Sequence, residues 1–269
     1  MKKIKTILFL ICLSFTQSLK ALDNQLLSYQ SIYEINLDTE REVKKTFGQP
    51  SISKANGELI IDWFFNCESW VSNQRMLVSF VNSAGVGTVS DISYSLEEST
   101  SNNKMKFLLQ VKENNMIRQK VRGDVVKDDE LKIEIYNPKK KEIAFSKDVM
   151  LPHEHLKLII KSLDQKEGSI FSKKVYEGSL PENFFNISTF INQKPFKFTS
   201  IDLPKEVKNK FWDVRMAYYE EDSQTTSLEL TAKINRQGIV SYFRYDYPDY
   251  SLVMKLKKLA VIKNSCKKE

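Results

Sequence analysis

Three cysteines and two histidines are the residues of this chain best suited to nucleophilic or metal chemistry. The cysteines are Cys12, Cys67 and Cys266, and the histidines are His153 and His155. A zinc protease sets two histidines one helical turn apart, as H-E-x-x-H, so that both face one ion. Here they stand two apart in "HEH". That places them about 200° from each other round a helix, so they cannot grip one ion from it. A Ser–His–Asp triad would have to use one of these two. The chain holds no G-x-S-x-G elbow, no glycine-rich phosphate loop and no close cysteine pair of the kind zinc needs. His155 therefore reads as a capping or packing residue, and as the best candidate only if the chain is a hydrolase with an unrecognised site. No catalytic residue, metal or cofactor is expected.

The elements that carry these residues begin with "MKKIKTILFLICLSFTQSLKALDNQ". Lys2, Lys3 and Lys5 precede a short apolar run, and a small-residue stretch ends at Ala21. This is the pattern of a cleaved secretory leader over residues 1–21, with 22–269 as one domain. The run falls short of the about 20 residues a membrane span needs, so no integral span is expected in the mature chain. Cleavage removes four lysines and no acid, so the formal charge drops from +7 to +3. No dense Lys/Arg stripe of a nucleic-acid binder remains. "NPKKKE" (137–142) is the nearest, and it reads as a charged hairpin turn. Cleavage also removes Cys12. Two cysteines in an oxidising compartment favour one disulfide, with free thiols and a metal site as the alternatives.

Most of the mature chain alternates with period two, the mark of half-buried strands. "YQSIYEINL" (29–37) and "GELIIDWFF" (57–65) are examples, the second apolar enough for burial on both faces. Hairpins are expected at Asn137-Pro138 and Gln237-Gly238, and "RGD" (122–124) reads as another turn. "LPHEHLKLIIKSLDQ" breaks the rhythm, with Leu156, Ile159, Ile160 and Leu163 on one helical stripe. Pro152 suits the first helical position, Glu154 the positive end of the dipole, and Gly168 the stop. A helix over about 152–165 follows, placed to plug or cover an open sheet. So many short strands argue for an all-β barrel or sandwich. In "YFRYDYPDY", Tyr245 and Tyr247 share a face with Phe243, giving either an ordinary aromatic sheet face or a stacking surface for a ligand.

Several stretches come in the order seen in one known family. They are "YQSIYEINL", the N-C-E-x-W element at 66–70, "VRGD" (121–124), "LPHEHLKLIIKS" (151–162) and "VRMAYYEE … RQGIVSYFRYDYPDYSLVMKLKKL", followed by Cys266. In this the chain resembles the EipB family (DUF1849), periplasmic cell-envelope integrity proteins of Gram-negative bacteria. Ser69 and His153 depart from the residues usual at their places. The resemblance covers nearly the whole mature chain. It implies an open, spiral-like antiparallel β-barrel with the helix on its concave face, and a disulfide between Cys67 and Cys266. It also implies a non-enzymatic role in envelope integrity, exercised through a periplasmic or envelope protein partner. A hydrophobic ligand in the barrel is the alternative. His155, Trp70, Tyr245 and Tyr247 are the residues expected on a ligand or partner surface.

Overall fold

The computed structural model describes residues 25–40, 51–165, 169–263 and 266. The leader and Gly168 lie outside these. Among the described residues fourteen strands and one helix follow one another, with the helix between β8 and β9. The first half of the chain is β1 (Tyr29–Leu37), β2 (Ile52–Phe65), β3 (Ser69–Asn82), β4 (Gly87–Ser99), β5 (Lys104–Glu113), β6 (Met116–Lys127), β7 (Glu130–Asn137) and β8 (Lys141–Ser146). After helix α1 (Pro152–Ser162) come β9 (Ser169–Val175), β10 (Phe185–Ile191), β11 (Phe211–Glu220), β12 (Leu228–Asn235), β13 (Val240–Asp246) and β14 (Ser251–Val261).

All fourteen strands form one antiparallel sheet in the order β8-β7-β6-β5-β4-β3-β2-β1-β14-β13-β12-β11-β10-β9. Two meanders thus run outward from a central seam where the first strand meets the last. There Ile35 lies opposite Met254 and Leu37 opposite Leu252. The outer edges are β8 and β9. Among the described residues no ladder joins them, but Met150, just past β8, makes a single parallel bridge to Val175 at the end of β9. The sheet therefore curls without closing.

Alternation decides which side chains meet inside the curl. Leu59, Ile61 and Trp63 point inward on β2, and Trp212, Val214, Met216 and Tyr218 do so on β11. Outside, pairs such as Arg75–Asp91, bonded through both guanidinium nitrogens at 3.1 Å, face solvent. The expected hairpins form at Asn137-Pro138 and at Gln237-Gly238, where Gly238 takes φ +79°. Burial on both faces is only partial in β2, where Ile60 and Asp62 on the outer side are half-buried.

The turn expected at 122–124 is instead the middle of β6. The reason is packing: a Cβ on Gly123 would lie 2.7 Å from the Phe107 ring and 2.9 Å from the Glu134 carbonyl. The glycine serves close strand approach, and the register with β7 shifts beside it.

Helix α1 lies on the concave side, as expected, but ends at Ser162 rather than near 165. The Leu163 N–H bonds to the Ile160 carbonyl at 3.3 Å, tightening the last turn to i→i−3 spacing. Ile159 and Leu163 pack against Val175, Ile187 and Trp212 of the second meander. Ile160 packs with Leu26 and Trp70. The helix thus touches both meanders, and this holds the curl's two arms together.

Its N-terminus is held by the end of β4 and the turn that follows it. The Glu98 carboxylate accepts from the backbone N–H of His153 at 2.7 Å and of Glu154 at 3.2 Å. The Asn102 side-chain amide donates to the same carboxylate at 2.7 Å. Two of the donors that every helix start leaves open are thereby satisfied, and the negative charge meets the positive end of the helix dipole. Lys127 pairs with Glu154 at 2.8 Å, and Lys157 donates to Asn102.

Candidate functional site

Between the two meanders and under the start of α1 lies a cavity of about 380 Å3. Strand alternation supplies most of its wall: Leu59 and Trp63 from β2, Tyr94 and Leu96 from β4, Tyr218 from β11, Leu230 from β12. Tyr245 and Tyr247 enter from β13 and its following turn, and Pro152, His153 and Leu156 come down from α1. The volume falls in the range of small-molecule sites, and an apolar, aromatic lining with few polar groups suits one. A larger depression, about 760 Å3, lies mainly on the outer face of β10–β13. Charged side chains stand among its lining, including Arg244, which pairs with Asp38 and Asp246. It lacks the predominantly apolar lining of the inner cavity.

The floor of the inner cavity is built by a stacked group. Trp63 and Trp70 lie with ring centres 5.3 Å apart and 19° between planes. The His153 imidazole sits 5.7 Å from one and 5.6 Å from the other. Cys67 lies in the turn between these tryptophans, with φ +82°. The turn is tied by the Asn66 side chain, which accepts from the Ser69 N–H at 2.7 Å and the Glu68 N–H at 3.2 Å. Cys67 is bonded to Cys266, with Cα atoms 5.6 Å apart across 199 residues of chain. The bond fastens the tail after β14 to the β2–β3 turn beneath the cavity floor.

One ionisable group lines the cavity from a short segment that follows β9. Glu177 precedes Gly178, which takes φ +75° and packs so closely on Phe107 that a Cβ would come within 2.5 Å of its ring. The Tyr94 hydroxyl donates to the Glu177 carbonyl, and Tyr176 donates to the Pro181 carbonyl at 3.1 Å. The backbone of Glu177 is thus fixed on both sides. Among the described residues no hydrogen bond or ion pair reaches its carboxyl. Burial pushes that carboxyl up to about 7, and its charge raises Tyr94, Tyr218 and Tyr245, each already raised chiefly by burial.

Of the residues singled out in the sequence, Tyr245 and Tyr247 line this cavity. Trp70 is fully buried one layer behind, against Trp63, Phe65 and His153. His155 faces away from the cavity, edge-on to Phe171 of β9 at 6.2 Å. Its Nε2 is buried without a partner among the described residues, and burial lowers its pKa to about 4. Sequence reasoning missed Glu177, Tyr94 and the wall role of Tyr218. The signal for the tyrosines is strand alternation; Glu177, on a turn, carries none. Among the described residues no group of three His, Cys, Asp or Glu is placed to hold a metal ion. No helix among them is long and apolar enough to cross a membrane.

The model of the family described as EipB-like matches residues 20–263. No curated protein matches the chain. Among solved structures, the chain is similar to a beta-barrel-like protein of domain of unknown function DUF1849 from Brucella abortus. The TM-score is 0.79 at 20% identity, over 88% of this chain and 99% of that one. At that identity the likeness shows the fold alone. A DUF1329 family protein from Desulfovibrio piger covers 91% of this chain and 90% of its own at 11% identity, and its TM-score of 0.26 carries no argument.

Proposed function

We propose, proceeding from the fact that the chain belongs to the EipB-like family, that it is a non-enzymatic periplasmic protein that maintains the cell envelope by holding an apolar ligand group inside the curled sheet. The observation that carries this reading is the apolar cavity of about 380 Å3 between the two meanders, beneath α1. The basic, apolar leader over 1–21 and the Cys67–Cys266 bond support export to an oxidising compartment. The absence of catalytic spacing around His153 and His155 in the sequence supports a binding role.

A cell lacking the gene should become sensitive to detergent and envelope stress. Complementation by the wild-type chain should restore resistance, and a folded variant with the cavity filled (Leu96→Trp or Leu230→Trp) should not. Full rescue by both filled variants would refute the cavity as the working site.

A second reading, action through an envelope protein partner, is favoured by one feature of the outer face. Ile170 of β9 and Phe190 of β10 are directly paired and exposed, 76% and 43%. Changing both to serine should then reproduce the deletion phenotype while leaving the cavity intact.

A further inference from the structure

We infer that the cavity is a site for an organic ammonium group carried on an apolar body, with the Glu177 carboxylate as its counter-charge and tyrosine rings as its walls. This rests on the reading of the cavity as a ligand site and adds the chemistry of what enters it. Three observations carry it. Glu177 lines the cavity half-buried, and among the described residues no hydrogen bond or ion pair reaches its carboxyl, although acids drawn out of water are ordinarily paired. Among the described residues no lysine or arginine lines the cavity to supply a positive charge. The surfaces around it are aromatic, and tyrosine faces together with a carboxylate are the chemistry that recognises ammonium groups.

The remaining walls exclude the opposite charge. A phosphate, sulfate or carboxylate head would meet Glu177 with no cation to offset it. A purely apolar ligand would leave the carboxyl unpaired, at the cost of a buried polar group without a partner. An ammonium group satisfies it while its apolar body covers Leu59, Leu96 and Leu230.

The site is also placed with rigidity. Gly178 lets the segment press on Phe107, and Tyr94 holds the Glu177 carbonyl, so the acid is presented at a fixed point. The titratable groups that face it are Tyr94 on β4, Tyr218 on β11, Tyr245 and Tyr247 at β13, and His153 on α1. The tyrosines lie above the pH range of interest. With its carboxyl raised to about 7, Glu177 is ionised above neutrality and protonated below, so attraction for a cation weakens as pH falls.

The test is isothermal titration calorimetry of the mature chain with octyltrimethylammonium, 1-octanol and octyl sulfate, each below its micelle threshold. At pH 8 the cation should bind about tenfold or more tightly than the alcohol, with the sulfate weakest. Acidification to pH 5.5 should remove most of that preference. Glu177→Gln should abolish that preference, because the amide keeps the shape and loses the charge. Equal binding of cation and alcohol by the wild type would overturn the ammonium assignment and leave the cavity reading standing. Binding of none of the three would overturn both. A second arm separates sources: after incubation with vesicles of phosphatidylethanolamine or of phosphatidylglycerol, the protein is re-isolated and weighed under non-denaturing conditions. Uptake of the ethanolamine lipid alone supports the assignment and makes a lipid headgroup the source. Cation binding without lipid uptake supports it with a free amine as the source. Equal uptake of both lipids counts against it.

Discussion

Glu98 is the residue whose removal should most clearly separate the helix from the sheet. Its carboxylate serves two open backbone donors of α1 and the Asn102 amide, the His153 contact buried and the other two part-buried. A buried donor stripped of its partner costs about 1–3 kcal/mol. With two backbone donors affected, Glu98→Ala should cost about 2–5 kcal/mol. Glu98→Gln retains one acceptor oxygen but turns an NH2 toward other donors, and should cost about 1–2 kcal/mol.

The pH dependence adds a sharper signature. Burial raises the Glu98 carboxyl to about 7 against the pull of its hydrogen bonds, whereas the unfolded chain titrates near 4.5. Between those values the folded state holds a proton that the unfolded state lacks. Its stabilising share is complete below 4.5 and is lost as pH rises through 7. From pH 8 to pH 5.5 the wild type should gain about 2 kcal/mol from this group, and neither variant should share that gain. Glu98→Ala should therefore cost more at pH 5.5 than at pH 8. Glu177 and His155 titrate alike in all three proteins and cancel in the comparison. Urea unfolding followed by tryptophan fluorescence at both pH values measures it. A loss below about 1 kcal/mol for Glu98→Ala, or an unchanged pH dependence, would refute the account of how α1 is held.

Other perturbations have equally definite outcomes. Non-reducing peptide mapping should recover Cys67 crosslinked to Cys266, and replacing both by serine should cost about 5 kcal/mol on the chain-entropy model for a loop of this length; free thiols at both positions would contradict this. Gly178→Ala places a Cβ 2.5 Å from Phe107 at a positive φ, so urea unfolding should show a loss of about 2–4 kcal/mol. His155 titrates near 4 in the fold and near 6.5 when unfolded, so it weakens the wild type as pH falls from 6.5 to 4, by about 3 kcal/mol. His155→Phe should flatten that part of the curve in a thermal melt series, and an unaltered acid limb would argue against burial of the imidazole.

How much of this was legible in the sequence follows from what alternation and turn chemistry can encode. Tyr33, Ile35 and Leu37 in β1 and the run from Trp212 to Tyr218 in β11 declare both strand and inward face. Gln237-Gly238 declares its hairpin. The helix is visible from the stripe of Leu156, Ile159, Ile160 and Leu163, although its last turn is set by a tertiary environment no local pattern records. "RGD" reads as a turn because glycine breaks the alternation; only the partner strand shows that Gly123 makes room for Phe107. The open, curled barrel was expected from the family resemblance and not from periodicity, and the strand order from neither. Tyr245 announces itself on one face of β13, and Tyr247 follows on the same side just past its end. Glu177 does not, because its importance comes from Tyr94, 83 residues earlier, and from Tyr218 and Tyr245, later in the chain.

The central claim is that the cavity between the meanders holds a ligand with an apolar body. Non-denaturing mass spectrometry of the full-length protein purified gently from envelope extracts tests it most directly. The account predicts a discrete bound species, released on unfolding and absent from the folded Leu230→Trp variant. A protein that carries no adduct from the envelope and takes up none of the octyl probes would contradict it.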